Sequence, residues 1–516
     1  MNRSFSLLHE RWIPVRMVDG HLRDVGLVDL FEQANEISAL TETSPPCLIA
    51  LYRLLLAITH RALIRDQGTW RDQDRATWYR EGLPQQVLQD YLEHWRERFW
   101  LFHPEQPFMQ VAALATAEEI RDKKPWTQIS LASTCGNAAV VFDHSYDAAP
   151  SRITPPEAIR TLLGFLQFTP GGLIRVIRGS DKAGPLANTA AVLPIGRTLN
   201  QTLCLALHPA TSAAKDDLPS WEQPVISLEN LRAAPSLATG PNDRYTRLSR
   251  AVLLDPAEDS RIQWIRFAAG VALAEDASAP DPMASYREGG NRHVRIGFRE
   301  GRAFWRDLPA LVPDPAGKPS QPAFVLGWAA TLRADLGDLL ADEVLLIAGV
   351  ASDQAKLLRW RSEQIVLPAV LLANVGLASR LRLEVQRAET VYYQLRAIAI
   401  IMIAATMPTA ASKDTRARAR AVFVAGPAAV TFFASAERAL PRLLREIAEE
   451  AGEEARMHWA ESLLQSAWDT WDALRRNLGQ SPVALRAEAE AFPRISALLR
   501  TLQPESSIVG SRESLP

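Results

Sequence analysis

The chain has 516 residues, of which 47% are hydrophobic and 22% are charged. These proportions are typical of a soluble globular protein, and the length predicts roughly two to four domains. A chain of this size can bury a large core without disulfides or bound metals. The formal net charge is −2, so the chain is not basic overall and its net charge gives no sign of nucleic-acid binding. This net charge is still compatible with a local basic surface.

The three cysteines, Cys47, Cys135 and Cys204, lie far apart and form no CxxC pair. This spacing disfavours a disulfide framework and a cysteine-rich zinc site, and it predicts a reducing, cytoplasmic compartment. The longest apolar run, 397–407, is shorter than the roughly 20 residues that span a bilayer. We therefore expect no membrane association, no bound metal and no cofactor.

The N-terminal part of the chain mixes strand and helix patterns. Residues 12–28 alternate loosely around an Asp19-Gly20 turn, which predicts a β-hairpin. Apolar periodicity predicts helices over 47–64, 85–102 and 156–168. Between 131 and 196 glycine, proline and small residues dominate, and loops of this length usually carry function.

After about residue 375 the chain becomes almost wholly helical. Helical spacing of apolar residues is found in four segments, 378–407, 427–450, 454–478 and 482–502. Amphipathic helices with short connections predict an up-and-down four-helix bundle. We therefore predict an α+β fold, with a large mixed α/β N-terminal domain over 1–375 and a four-helix bundle over 376–516. The proline-rich stretch 309–323 is expected to be a linker or a long surface loop.

The third helical segment carries an apolar stripe that is expected to face the core of the bundle. The stripe comprises Ala460, Leu463, Leu464, Ala467, Trp468, Trp471 and Leu474. The fourth segment begins with Ser481-Pro482, which is a capping residue followed by proline at the first helical position.

The sequence holds no convincing catalytic motif. Gly317-Lys318 lacks the upstream glycine of a phosphate-binding loop, and neither HExxH nor GxSxG occurs. Asp143-His144 stands without a second cluster, which favours an ordinary loop pair over a metal site. We therefore expect a protein that is not an enzyme. A nuclease with an unrecognised site and a purely helical scaffold are the alternatives.

A glycine-rich segment, 169–179, is the first candidate binding site. Gly171 and Gly172 would let backbone N–H groups approach a ligand closely. Arg175 and Arg178 add positive charge suited to phosphates, as does the nearby Lys182. The alternative interpretation is a tight turn with solvated arginines.

A second candidate lies between a strand-like run, 344–347, and a run that the sequence suggests is helical from about Lys356. It comprises Ser352, Asp353, Gln354 and Lys356. A polar side chain at a strand-to-helix turn can reach a base edge or wedge a duplex step apart. The alternative is an ordinary helix cap, because Ser352 and Asp353 are normal N-cap residues.

Two sequence motifs resemble those of the CasA family, the large subunit of the type I-E CRISPR Cascade surveillance complex. Residues 7–15, Leu-Leu-His-Glu-Arg-Trp-Ile-Pro-Val, are similar to the family's opening. Residues 99–110 are similar to its F-x-L-x-H-x-x-x-P-F-M-Q signature. The resemblance continues, in the expected order, through the glycine segment, the Gln354 segment and the terminal helices.

The resemblance implies a protein that recognises the protospacer-adjacent motif in double-stranded DNA from the minor groove and starts duplex opening for R-loop formation. It implies a glycine loop at 170–172, a glutamine wedge at 352–355 and a basic contact at Arg266. It also implies a loop over 137–144 near the RNA 5′ handle, with Asn137 and Phe142 as contacts. The implied partners are target DNA, guide RNA, the CasB, CasC, CasD and CasE subunits, and a helicase-nuclease.

This chain departs from the family pattern in two respects. Some members carry a cysteine cluster in the middle of the chain that is missing here, so no zinc role is transferred. Asp353 stands where a neutral residue is expected beside the wedge glutamine. Because a carboxylate near phosphates is unfavourable, the preferred motif is expected to differ.

Overall fold

The computed structural model describes residues 3–120, 122–131, 150–172, 176–178, 181–210, 215–275, 280–289, 292–314, 320–353 and 356–503. The chain forms two compact units. The first comprises Met1–Glu300 and Lys318–Ile365, and the second comprises Gly301–Gly317 and Val366–Pro516. Small sheets alternate with helices in the first unit, and the second is helical, so the predicted α+β class with a C-terminal helical region is confirmed.

The strands, in chain order, are β1 (Ser4–Ser6), β2 (Ile13–Met17), β3 (Leu22–Val25), β4 (Ile37–Leu40), β5 (Trp100–Phe102), β6 (Lys124–Pro125), β7 (Ala190–Ile195), β8 (Arg250–Pro256), β9 (Ile262–Ala269), β10 (Tyr286–Gly289), β11 (Arg292–Arg295), β12 (Ser320–Gln321), β13 (Asp342–Asp353) and β14 (Lys356–Pro368). They form small sheets with the orders β1-β5, β3-β2-β4, β6-β9-β8, β14-β13-β7 and β11-β10-β12. Strand β9 runs antiparallel to β8, and β13 runs antiparallel to β7.

The helices of the first unit are α1 (Leu27–Glu32), α2 (Pro45–Gln67), α3 (Asp72–Glu81), α4 (Gln85–His94), α5 (Pro155–Phe168), α6 (Leu199–Ala206), α7 (Leu228–Arg232), α8 (Pro241–Thr246) and α9 (Phe324–Asp335). The helices of the second unit are α10 (Val370–Ala373), α11 (Val375–Ala405), α12 (Lys413–Ala425), α13 (Ala428–Glu437), α14 (Leu440–Ala448), α15 (Gly452–Leu478) and α16 (Pro482–Arg500).

Helix α2 is the centre of the first unit and packs against α4, α5 and α8. By length and composition, α2 and α11 could each cross a membrane, as could α12 and α13 if they are taken as one bent span. The most apolar window of α2 is 94% buried within the fold. Its hydrophobicity is therefore used to build the core of this unit.

Local patterns in the N-terminal region predict several elements correctly. The hairpin over 12–28 is β2 paired with β3, and Gly20 supplies the positive φ of its turn, +93°. The helix over 156–168 is α5, which begins with a capping box between Thr154 and Glu157.

The helix predicted over 85–102 is too long. Helix α4 ends at His94, and Trp100–Phe102 is strand β5. This strand pairs with β1, and Leu7 N donates to Phe99 O at 2.9 Å. Tertiary pairing with the N-terminal segment overrides the local helical pattern.

The run that the sequence suggests is helical from about Lys356 is a strand, β14. Buried Ile365 and Leu367 alternate with exposed Gln364 and Val366, which is the period of a strand. The segment around Gln354 therefore joins two long strands. Neither Ser352 nor Asp353 has a helix to cap, so both the strand-to-helix turn and the capping alternative are wrong.

The C-terminal helices follow the four predicted segments with two differences. The segment 427–450 is divided into α13 and α14, and α12 was not predicted. Helix α11 packs against α12, α15 and α16, and α15 packs against α13 and α14. Ser481 caps α16 as expected, accepting a hydrogen bond from Ala484 N at 3.2 Å.

The stripe predicted on α15 faces the core over most of its length. Leu463, Ala467 and Trp471 are each 0% exposed, whereas Trp468 is 37% exposed. Trp468 is therefore a surface residue and not a member of the core.

Residues 301–314, which the sequence predicts to lie in the N-terminal domain, pack with the C-terminal helices. Arg302 and Arg306 both form ion pairs with Glu389 of α11, at 2.9 and 2.7 Å. Leu311 and Val312 are fully buried, so this part of the stretch expected to be a linker or surface loop belongs to the core.

Candidate nucleic-acid interface

The glycine segment leaves the end of α5 and is closed by a short bridge of backbone. Gly172 and Asp181 exchange hydrogen bonds, Gly172 N to Asp181 O at 3.4 Å and Asp181 N to Gly172 O at 3.1 Å. Gly171 and Gly172 are both exposed. The paired glycines therefore present bare backbone to solvent, as an approaching nucleic acid would require.

A buried ion pair holds the base of this segment. Arg250 Nη1 lies 2.9 Å from Asp181 Oδ2, and Arg250 also donates to Pro170 O at 2.6 Å. Burial raises the pKa of Asp181, and the guanidiniums of Arg250 and Arg178 oppose that shift. Because Arg250 reaches both ends of the loop, through Pro170 and through Lys182 O, it fixes where the glycines lie.

Arg178 is engaged within the protein. Its guanidinium donates to Ala233 O at 3.1 Å and to Gly270 O, and it pairs with Asp181 at 3.4 Å. These contacts tie the far side of the loop to the end of β9. A direct contact from Arg178 to DNA stays a prediction, and it would require some of these bonds to be exchanged.

Arg266, the expected basic contact, lies on β9 opposite Leu253 of β8. It is half-buried, and its Nη1 donates to Ile120 O at 2.6 Å. Its role as a minor-groove contact likewise stays a prediction.

The residues that precede the two predicted recognition elements lie close together in the fold. A Cβ added to Gly349 of β13 would lie 2.3 Å from Thr189 O and 3.5 Å from the Phe168 ring. Phe168 ends α5, just before the glycine segment, and Gly349 lies just before Ser352. The tertiary structure therefore brings these two elements, which are distant in sequence, to one region of the first unit.

Several predicted site residues cannot be placed. Arg175, Gln354, Asn137 and Phe142 lie outside the described residues, as does the Asp143-His144 pair. Of the other wedge residues, Ser352 and Asp353 end β13 and Lys356 begins β14.

Sequence reasoning missed two features that matter for a nucleic-acid interface. The Asp181–Arg250 pair joins residues far apart in the chain and leaves no local signal. Helix α12 buries Thr415, Ala419 and Phe423 and leaves four basic side chains exposed. These are Lys413, Arg416, Arg418 and Arg420. A helical periodicity search over 413–425 could have found α12.

The family model described as CRISPR-associated protein Cse1 matches residues 6–470 of this chain. The chain belongs to the Cse1 (CasA) family of CRISPR-associated proteins. CasA/Cse1 of Thermus thermophilus is 33% identical over 520 residues, which cover 97% of this chain and 98% of that protein. The resemblance found in residues 7–15 and 99–110 is therefore confirmed.

Solved structures agree with this assignment. Thermus thermophilus CasA (Cse1) matches with a TM-score of 0.83 at 31% identity, covering 97% of this chain and 100% of that one. Cse1 from Acidimicrobium ferrooxidans matches at 0.76 and 23% identity, covering 96% and 98%. A chain of a CRISPR RNA-guided surveillance complex matches at 0.72 and 22% identity, covering 96% and 99%. The last two similarities concern the fold alone.

The Cse1 signature at 99–110 builds the fold. His103 Nδ1 accepts backbone hydrogen bonds from Glu105 and Gln106, at 3.1 and 2.9 Å. Gln110 donates to Leu101 O at 2.7 Å and accepts from Leu254 N at 2.9 Å. These bonds join the segment to β8, which begins at Arg250 beside the glycine loop. The signature thus positions the candidate interface from a distance.

Proposed function

We propose that this chain is a non-catalytic subunit of an RNA-guided Cascade complex that recognises the protospacer-adjacent motif in double-stranded DNA. In such a complex guide pairing reads the target and protein reads the short adjacent motif. The observation that carries the proposal is the exposed Gly171-Gly172 backbone, held at its base by the buried Asp181–Arg250 pair. Exposed glycine backbone suits the minor groove, where protein must approach base edges closely.

Duplex opening is the second part of the proposed function. Gln354 would wedge the first step beside the motif, because it lies between β13 and β14 in the chain and Gly349 of β13 lies beside Phe168, just before the glycine segment. An inserted side chain compensates for unstacking, which costs a few kcal/mol per step. The exposed basic residues of α12 would attract the phosphates of the displaced strand.

The remaining contacts follow from the same proposal. CasB, CasC, CasD and CasE would be the neighbouring subunits, guide RNA would be bound in the assembly, and a helicase-nuclease would be recruited after opening. Within the described residues, no group of three or more histidine, cysteine or acidic side chains could hold a metal ion. In this proposal, cutting belongs to the recruited partner.

The test is affinity purification of the tagged full-length chain from its native cells. We expect a short guide RNA and four partner proteins to co-purify, and the assembly to bind duplex bearing the adjacent motif more tightly than duplex without it. A chain recovered without RNA would overturn the proposal. So would metal-dependent DNA cutting by the purified chain that is lost when its own acidic residues are replaced.

A further inference from the structure

A cavity of about 300 Å³ opens in the first unit, between the N-terminal ends of α2 and α5. The side chains that matter for its chemistry are Glu42, Ser44, Trp126, Glu157, Arg160 and Trp360. Its volume is at the lower end of the range for small-molecule sites, which suits a single planar ring system with part of an attached sugar.

Two tryptophans supply aromatic surface to the cavity. Trp126 Nε1 donates to Ser151 O at 2.7 Å, and Trp360 Nε1 donates to Leu131 O at 3.2 Å. Each indole is thus oriented by a bond to backbone while its ring stays half-buried. Aromatic rings fixed in this way are surfaces on which an unstacked nucleobase can stack at little entropic cost.

Ser44 lines the same cavity with a hydroxyl that is not used to cap its helix. It is the N-cap of α2 and 6% exposed, yet its side chain makes no cap hydrogen bond. The first two residues of the helix, Pro45 and Pro46, carry no N–H to donate. The Ser44 hydroxyl can donate to the sulfur of Cys47, and it has no other partner in the described structure.

The charges around the cavity disfavour an anion. Glu42 pairs with Arg160 at 2.7 Å and accepts from Ser44 N at 2.9 Å, while Glu157 accepts from Thr154 N at 2.8 Å. The partial positive charges at the N-terminal ends of α2 and α5 are therefore already balanced by the protein's own carboxylates. Two carboxylates and one guanidinium leave net negative charge, which favours a ligand that donates N–H groups and is not itself a phosphate.

We propose that this cavity binds one unstacked nucleobase that carries an exocyclic amino group: adenine, cytosine or guanine. The base stacks on Trp126 or Trp360, and its amino group donates to the carboxylate side of the cavity, with the Ser44 hydroxyl as a further partner. Carboxylates accept readily from such amino groups. Uracil and thymine carry a carbonyl oxygen where cytosine carries its amino group, and an oxygen at that position would be repelled by Glu42 and Glu157. The inference rests on the proposed function, because the base would come from the guide RNA or from a DNA strand of the target.

The first test uses the free full-length chain and does not depend on complex assembly. Saturation-transfer NMR with adenosine, cytidine and uridine should detect the first two and a weaker uridine signal. Ser44→Ala should reduce the signals without altering stability, since the hydroxyl makes no cap bond. Trp126→Ala and Trp360→Ala should weaken binding roughly five- to hundredfold. Trp468→Ala, at an exposed tryptophan of the second unit, is the matched control.

The second test identifies the source of the base in the assembled complex. Ultraviolet crosslinks to peptides containing Trp126 or Trp360 are mapped with guide RNA alone and again with matched duplex. Crosslinks to RNA or to DNA each support the proposal and name the source. A crosslink only to a partner protein, or no nucleoside binding by the free chain, overturns it. If crosslinks are missing while motif-bearing duplex is still bound, this inference fails and the proposed function stands.

Discussion

Arg250 and Asp181 form a fully buried ion pair at the base of the glycine segment, with Nη1 2.9 Å from Oδ2 and side chains 1% and 0% exposed. A buried charge that loses its partner is strongly destabilising, whereas an exposed pair contributes little. This pair therefore couples the stability of the first unit to the position of Gly171 and Gly172.

Arg250→Ala should lower the free energy of unfolding by about 3–5 kcal/mol, because the buried Asp181 carboxylate loses its closest positively charged partner. Urea unfolding of the full chain measures the change. Arg232→Ala is the matched control, since its 2.7 Å pair with Glu119 is half exposed. Equal losses in the two variants would contradict a special role for the buried pair.

Gly172→Asp should fold normally and weaken capture of motif-bearing duplex. A Cβ at Gly172 would meet no heavy atom within 4 Å, so the fold itself does not require glycine there. The loss would come from bulk and negative charge against the DNA backbone. Gel shifts with the assembled complex measure it, and Gly172→Asn separates bulk from charge. Unchanged affinity in both variants would remove the loop from the recognition site.

Gln354→Ala should slow R-loop formation on fully paired duplex much more than on a target already melted beside the motif. The second substrate needs no wedge, because its unstacking cost has been removed. Rates are compared at one salt concentration, since phosphate contacts depend strongly on salt. Equal defects on both substrates would make Gln354 a binding contact, and no defect on either would leave it without a role.

Trp471→Ala should lower the free energy of unfolding of the second unit by about 3–5 kcal/mol, as expected for a large buried aromatic. Trp471 is 0% exposed on α15, whereas Trp468 on the same helix is 37% exposed. Trp468→Ala is therefore the control and should change stability much less. Denaturant unfolding of the full-length chain decides between them, and similar losses would place both residues in the core.

Stability should fall as the pH drops below about 6.5, because of His60 and His208, whose rings stack 3.5 Å apart in the core. Burial lowers the pKa of His208 to about 3, and burial and the charge of His208 lower that of His60. Below about pH 6.5 the unfolded chain therefore binds protons that the folded chain does not bind. The free energy of unfolding then falls by roughly 1.4 kcal/mol per pH unit for each such proton.

Asp217 is linked to His60 through Asn242, and burial raises the pKa of its carboxyl to about 6. As the pH falls, this carboxyl takes up its proton in the folded chain before it does so in the unfolded chain. Its protonation therefore stabilises the folded chain and opposes the effect of the two histidines. His208→Phe keeps a stacked ring and removes one titrating group. Unfolding free energies measured between about pH 7 and 5 should therefore vary less steeply in that variant. Identical slopes in the two proteins would contradict the assignment.

Local chemistry is enough to determine much of this protein from its sequence. The Asp19-Gly20 hairpin, the capping box that starts α5 and the Ser481-Pro482 start of α16 depend on residues that are neighbours in the chain. The apolar period that predicts α15 is equally local. The family signature at 99–110 is also contiguous, which is why the sequence alone was enough to reveal the resemblance.

Tertiary structure decided what depends on residues distant in the chain. Residues 301–314 join the helical unit through ion pairs to Glu389, and residues 356–368 form a strand because β13 offers them a partner. Arg178 is a residue type that suits a phosphate contact, but its guanidinium donates hydrogen bonds to Gly270 O and Ala233 O. Such contacts leave no pattern in the sequence, because a guanidinium finds its acceptors only after the chain has brought them together.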